Sequence, residues 1–159
     1  MQGLADRARE LGKILQQRRF SVVTAESCTG GGIARLLTDE PGASSWFERG
    51  FVTYSNLSKE EMLGVPRSLL ETHGAVSEEV VLAMARGALA HSNGDVSISV
   101  SGVAGPDGGT ADKPVGTVWI GWGLGEDVAE AQHFLFPGDR DEARHRSMLA
   151  ALEGLIERL

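Results

Sequence analysis

A single cysteine, Cys28, excludes an intrachain disulfide and any zinc site built from cysteines. Lysine is scarce too, with only Lys13, Lys59 and Lys113, and the formal net charge is −7. With a pI near 5.1, the chain lacks the basic footprint that nucleic acid or an anionic membrane surface requires. An anionic small molecule stays open as a partner, because it needs only one arginine or one helix N-terminus. The four histidines, His73, His91, His133 and His145, have no ligand spacing, so no metal site is expected. There is no long apolar run, and the first residues lead into an amphipathic helix. Neither a signal peptide nor a membrane span is expected, and the cytoplasm is the default location. Repeats, low-complexity tracts and linkers are missing as well, so residues 1–159 are expected to form one domain around one core.

Glycine, by contrast, is abundant. Its 21 occurrences are about twice average usage and point to tight turns and close backbone approaches to a ligand. The densest such stretch with chemistry in it is Thr24-Ala25-Glu26-Ser27-Cys28-Thr29-Gly30-Gly31-Gly32, between the β-favouring Phe20–Val23 and the helix-like Ile33–Leu37. A strand that turns into a helix through hydroxyls and glycines leaves backbone N–H groups without partners at the helix start. Such a turn can hold an anion, or it can present Ser27 as a nucleophile beside amides that stabilise an oxyanion. It can also be a tight turn in which Ser27 or Thr29 only caps the helix.

Leu4, Ala8, Leu11 and Leu15 recur at helical spacing and predict a surface helix over 3–18 with one buried stripe. A strand over 20–25 and a helix over 29–38 follow, closed by the turn Asp39-Glu40-Pro41-Gly42. Ala43–Phe47 reads as a short helical turn and Gly50–Tyr54 as a strand. Ser58 and Glu61 have capping-box spacing at the start of a helix, Pro66 opens a short helix running to Gly74, and Ser77 caps a longer one. Asp95–Ser101 alternates apolar residues with serines, which suits a strand with one face on helices and one small-residue face. Val115–Gly123 and Val128–Phe136 read as a hairpin, after which Asp139 and Glu142 open a terminal amphipathic helix. The glycine-rich loops at 102–109 and 121–125 are not dinucleotide fingerprints, because no helix follows at the required place. The order of elements predicts an α/β fold: a layered α/β/α single domain with a mixed, mostly parallel sheet and a β-hairpin near the C-terminal end.

Tyr54, the only tyrosine, ends one strand, and Lys59 begins the next helix, a strand-to-helix junction like the one that carries Ser27. If those strands are parallel and adjacent, both junctions lie on the edge of the sheet where ligands bind. A desolvated lysine has a lowered pKa and can then deprotonate a serine. Equally, Tyr54 is an ordinary strand residue and Lys59 an ordinary helix-surface lysine. Cys28 competes with Ser27, because a thiol at a helix N-terminus can have a depressed pKa; flanked by small residues, it also fits buried packing. Arg140, at a helix start, can clamp a phosphate or pair with Asp139, Asp141 or Glu142.

Six stretches together carry a resemblance: Ala25–Gly31, Gly50–Asn56, Gly74–Ser77, Ser101–Gly109, Lys113–Val118 and Pro137–Arg140. In that order they resemble the successive motifs of the CinA C-terminal domain family, whose stand-alone bacterial members are nicotinamide-nucleotide amidases. The resemblance implies hydrolysis of the carboxamide of nicotinamide mononucleotide to nicotinate mononucleotide and ammonia, with no cofactor or metal, in pyridine-nucleotide recycling. It puts the family's catalytic serine, tyrosine and lysine on Ser27, Tyr54 and Lys59 and its phosphate-end arginine on Arg140. Thr29, Gly30, Gly31 and Gly105 are the further substrate-binding positions. The resemblance also implies a homo-oligomer, and no activity of the separate N-terminal pyrophosphatase-like domain of longer CinA proteins. A non-catalytic nucleotide-binding module with the same glycine loops, and a thiol protein using Cys28, are the rival readings.

Overall fold

The computed structural model describes residues 2–159, with side chains from residue 3 onward. The elements are α1 (Gln2–Arg18), β1 (Val22–Glu26), α2 (Gly32–Thr38), a 3-10 turn (Ala43–Ser45), β2 (Phe47–Val52), α3 (Asn56–Leu63), α4 (Arg67–His73), α5 (Glu78–Ala90), β3 (Val96–Gly102), β4 (Thr117–Gly123), β5 (Ala129–Leu135) and α6 (Arg140–Arg158). The sheet order is β2-β1-β3-β4-β5. β1 runs parallel to both its neighbours, whereas β3–β4 and β4–β5 are antiparallel, so the expected mixed sheet with a terminal hairpin is present.

The apolar periodicities explain the layers. Leu4, Ala8, Leu11 and Leu15 of α1 are all buried, and the latter three pack with Ile33 and Leu37 of α2 and Leu152 and Leu155 of α6. Their other partners are Val22, Ile98, Ile120 and Trp122 on one face of the sheet. On the opposite face, Val23 and Ala25 meet Leu63, Leu70, Val80, Met84 and Ala88 from α3, α4 and α5. β1, covered on both sides, is buried along its whole length. Trp122 is fully buried, and its indole Nε1 donates to the carbonyl of Ala151 at 2.9 Å.

Three local expectations are corrected. The serine face of β3 is a helix-packing face: Ser97 and Ser99 hydroxyls donate to the carbonyls of Ala85 and Val81 at 2.8 and 2.7 Å, so α5 lies tightly on it. Ser55, not Ser58, caps α3, accepting from the Ser58 amide at 3.0 Å. α2 starts at Gly32, three residues later than expected, because Gly30 and Gly31 take φ of 61° and 94° and continue the turn.

The strand order makes β1 a switch point: the chain continues to β2 on one side of it and later to β3 on the other. Beyond the carboxyl ends of parallel strands, such a point opens a crevice. Ser27 follows β1, Thr53 and Tyr54 follow β2, and β3 ends at Ser101 and Gly102, so all three strand ends deliver residues to one place. Among the described residues no helix is long and apolar enough to cross a membrane.

Candidate active site

Glu26, the last residue of β1, is fully buried, and its carboxylate organises the turn after it. Oε1 accepts from the Thr29 hydroxyl at 2.6 Å and from the Ile33 amide at 2.9 Å, while Oε2 accepts from the Ala34 amide at 2.9 Å. The N-terminus of α2 therefore already holds an anion, supplied by the chain itself. Of the alternatives the sequence leaves open, a ligand anion at the start of α2 and a cap from Ser27 or Thr29 are both replaced by Glu26. The donors left for an oxyanion are the amides directly after the serine: among the described residues those of Cys28 and Thr29 bond to no other residue, the Cys28 amide reaching only its own sulfur. The Ser27 amide is fixed to the carbonyl of Val100 in β3 at 3.0 Å.

Side chains of a helix lean toward its N-terminus, so Lys59 on α3 reaches back over the end of β2. Its side chain is fully buried. Nζ donates to Thr53 O at 2.8 Å, to Tyr54 O at 3.2 Å and to Ser27 Oγ at 3.0 Å. Burial lowers its pKa from 10.5 to about 8, because a charged ammonium loses its hydration there. Cys28 opposes this only as a thiolate, and burial pushes that thiol up to about 11. At neutral pH Cys28 is thus a neutral, packed thiol, which removes the depressed pKa that would have made it a nucleophile.

Three oxygens around Nζ satisfy the three donors of the ammonium; once that proton is lost, two N–H groups suffice for the carbonyls of Thr53 and Tyr54, and the lone pair can turn to the Ser27 hydroxyl as a proton acceptor. A cavity of about 190 Å³ opens onto this pair, bordered by Tyr54, Ser101, Ala104 and Arg140 among others. A larger cavity of about 540 Å³, lined by Arg86, Asp95 and Asp127, lies at the opposite edge of the sheet, with no nucleophile on its wall.

The remaining predicted residues take several places. Tyr54 is 63% exposed, and only its carbonyl reaches Lys59; its phenol oxygen instead accepts from Arg140 Nη2 at 3.4 Å. Arg140 Nη1 donates to Gly105 O at 2.8 Å, so the Gly105 loop, Arg140 and Tyr54 form a continuous rim, and Arg140 makes no ion pair with its acidic neighbours among the described residues. The Thr29 hydroxyl is spent on Glu26, and Thr29 is buried behind the cavity wall. Gly30 and Gly31 shape the turn. Sequence reasoning passed over Glu26, which an acid three residues before a threonine at a helix entry signals, and Ser101, whose strand alternation continues the Ser97–Ser99 face past α5 into the cavity. Lys113 is half-buried and donates to the carbonyl of His73 at 2.5 Å.

A serine and a buried lysine in contact at the carboxyl edge of parallel strands define the class: an α/β domain with a serine–lysine pair in a crevice. The model of the CinA C-terminal domain matches residues 4–159, and the chain belongs to that family. It is 53% identical over 150 residues to a protein of Pseudomonas putida named nicotinamide-nucleotide amidohydrolase PncC, covering 94% of this chain and 93% of the relative. The protein of the same name in Escherichia coli strain K12 is 49% identical over 146 residues, covering 92% and 88%. Among solved structures, the competence/damage inducible protein CihA of Agrobacterium tumefaciens superposes with a TM-score of 0.95 at 40% identity, covering 98% of this chain and 94% of that one. A CinA superfamily protein of Escherichia coli gives 0.94 at 33% identity, covering 98% and 90%.

Proposed function

We propose that this chain is an amidase that hydrolyses nicotinamide mononucleotide to nicotinate mononucleotide and ammonia, and that Ser27 and Lys59 carry the reaction. The observation behind the mechanism is the fully buried Lys59 Nζ at 3.0 Å from Ser27 Oγ, with two carbonyls occupying its other hydrogens. The names of the relatives at about 50% identity support the substrate.

In this reading Ser27 Oγ attacks the carboxamide carbon while its proton passes to Lys59 Nζ. The amides of Cys28 and Thr29 take the oxyanion, and Lys59 returns the proton to the departing nitrogen, which leaves as ammonia. Lys59, neutral again, takes a proton from the water that attacks the Ser27 ester and gives it to Ser27 Oγ as nicotinate mononucleotide leaves, which restores the serine and the neutral amine. The cationic pyridinium ring favours attack on its own amide. The nicotinamide ring fills the cavity beside Ser27, with Gly105 and Arg140 at its rim. Arg140 and Ala104 also border a second cavity of about 480 Å³, which leaves room for the ribose phosphate past the arginine. Base and oxyanion donors come from the protein itself, so the chemistry calls for no cofactor, and it suits a cytoplasmic, homo-oligomeric enzyme that recycles pyridine nucleotides.

The test is ammonia release from nicotinamide mononucleotide, its riboside and free nicotinamide, with Ser27→Ala alongside. The mononucleotide is expected to be the preferred substrate and Ser27→Ala inactive. Release of no ammonia from any of the three leaves a nucleotide-binding module; wild-type release by Ser27→Ala removes the serine from the mechanism.

A further inference from the structure

Arg144 stands four residues after Arg140, on the same side of α6, and reaches the back of the nucleophile turn. Its Nη2 donates to Thr29 O at 3.1 Å. The next amide in the chain, Gly30 N–H, donates in turn to Ser27 O at 3.0 Å. The peptide group that Ser27 O belongs to ends in the Cys28 amide, which bonds to no other residue among the described residues, only to its own sulfur, and lies beside the serine. A guanidinium, two peptide groups in series and the Cys28 N–H thus form one hydrogen-bonded chain. Within such a chain each bond polarises the next, and more so in a low-dielectric interior.

Two details fit this chain. Gly30 has φ of 61°, and a Cβ there would come within 3.3 Å of Arg144 Nη2, so the bare glycine leaves the guanidinium its seat on the turn. Arg144 Nε is buried with no hydrogen-bond partner. For packing alone an apolar side chain of similar volume serves better than an imperfectly satisfied arginine. Glu26 grips the same turn from inside through Thr29 Oγ1. The turn is therefore held on one side by a carboxylate and on the other by a guanidinium.

We propose that Arg144 is a positioning residue for the reaction: it fixes the Thr29 carbonyl and, through the two peptide groups, aims and polarises the Cys28 amide that receives the oxyanion. The inference rests on Ser27 being the nucleophile. Its effect is confined to the transition state, since the charge it supports exists only there.

The experiment is steady-state kinetics on nicotinamide mononucleotide for Arg144→Met, Arg144→Gln and Arg144→Lys, with Ser27→Ala assayed in parallel. Loss of a direct oxyanion donor lowers kcat by about 100- to 1000-fold, and loss of its support is expected to cost about 10-fold. Arg144→Met should lose that in kcat with KM within about twofold and the pH midpoint of kcat/KM unmoved. Arg144→Lys, which keeps the charge and a donor, should recover part of it. A wild-type kcat in Arg144→Met, or a loss carried by KM, overturns the proposal. If Arg144→Met does not fold, Arg144→Gln, a donor without charge, decides by the same two criteria. An active Ser27→Ala sinks the underlying reading instead, an outcome separate from any result at Arg144.

Discussion

Lys59 Nζ and Ser27 Oγ lie 3.0 Å apart although 32 residues separate them, joined because β1 and β2 are parallel neighbours whose carboxyl ends carry the serine turn and α3. The lysine is out of solvent and faces oxygen atoms only. Its protonation state thus decides whether the pair is an acid–base couple or a charge contact.

With Lys59 titrating near 8, kcat/KM is expected to rise with pH through a single group of about that value and to level off above it. Lys59→Arg should be nearly as inactive as Lys59→Ala, since a guanidinium keeps its proton at working pH. Lys13→Arg is the control, because Lys13 is exposed on α1. A Lys59→Arg protein with most of the activity and an unchanged fold refutes the base role.

Stability carries the same signature. The folded pKa of Lys59 lies below the unfolded one, so between about pH 8 and 10.5 the unfolded chain binds the extra proton. Wild-type stability therefore gains from this group as pH rises through that window, by roughly 3 kcal/mol in all. Below about pH 8 the gain is absent. Lys59→Met lacks the group, so the difference in Tm between wild type and Lys59→Met should shift in favour of wild type from pH 7.5 to 10. A pH-independent difference shows that Lys59 is not desolvated in solution.

Glu26→Gln tests the carboxylate under α2. A glutamine offers one acceptor and a donor where the structure needs acceptors for Thr29, Ile33 and Ala34 together. The expected cost is about 2–3 kcal/mol, combining lost charge-assisted bonds and a lost cap. Urea unfolding measures it; a loss under 1 kcal/mol means that the turn does not depend on Glu26.

The periodic elements were legible in the sequence because burial follows spacing: α1, α5, α6 and the hairpin lie where the apolar stripes and alternations put them. So did Ser27 and Lys59, since strand-to-helix junctions on parallel strands share an edge. Three things were not legible. The Glu26–Thr29 spacing marks the acid, but that its carboxylate also takes the Ile33 and Ala34 amides depends on the χ angles of a buried glutamate. The direction of the Tyr54 phenol, toward Arg140 and away from Lys59, is set by a contact across 86 residues. The partners of Arg144 and Lys113 are likewise 115 and 40 residues away, and no local spacing points to them.

Arg140 is the group best placed to read a phosphate at the rim. It is exposed, its Nη1 is anchored on Gly105 O at 2.8 Å, and its Nη2 makes only the long 3.4 Å contact with the Tyr54 hydroxyl. A phosphate can replace that contact at little cost, because an exposed neutral hydroxyl is a weaker acceptor than a charged oxygen. Arg140→Ala is therefore expected to raise KM for the mononucleotide by about 10- to 150-fold, corresponding to a charge-assisted bond of roughly 1.5–3 kcal/mol, and to leave KM for the riboside nearly unchanged. Tyr54→Phe removes the weak contact with Arg140 without touching the Tyr54 carbonyl on Lys59, so kcat and KM for the mononucleotide should both stay near wild type. Equal losses of Arg140→Ala on mononucleotide and riboside show that the arginine braces the Gly105 loop instead of binding phosphate, and a collapse of kcat in Tyr54→Phe returns the phenol to the proton path.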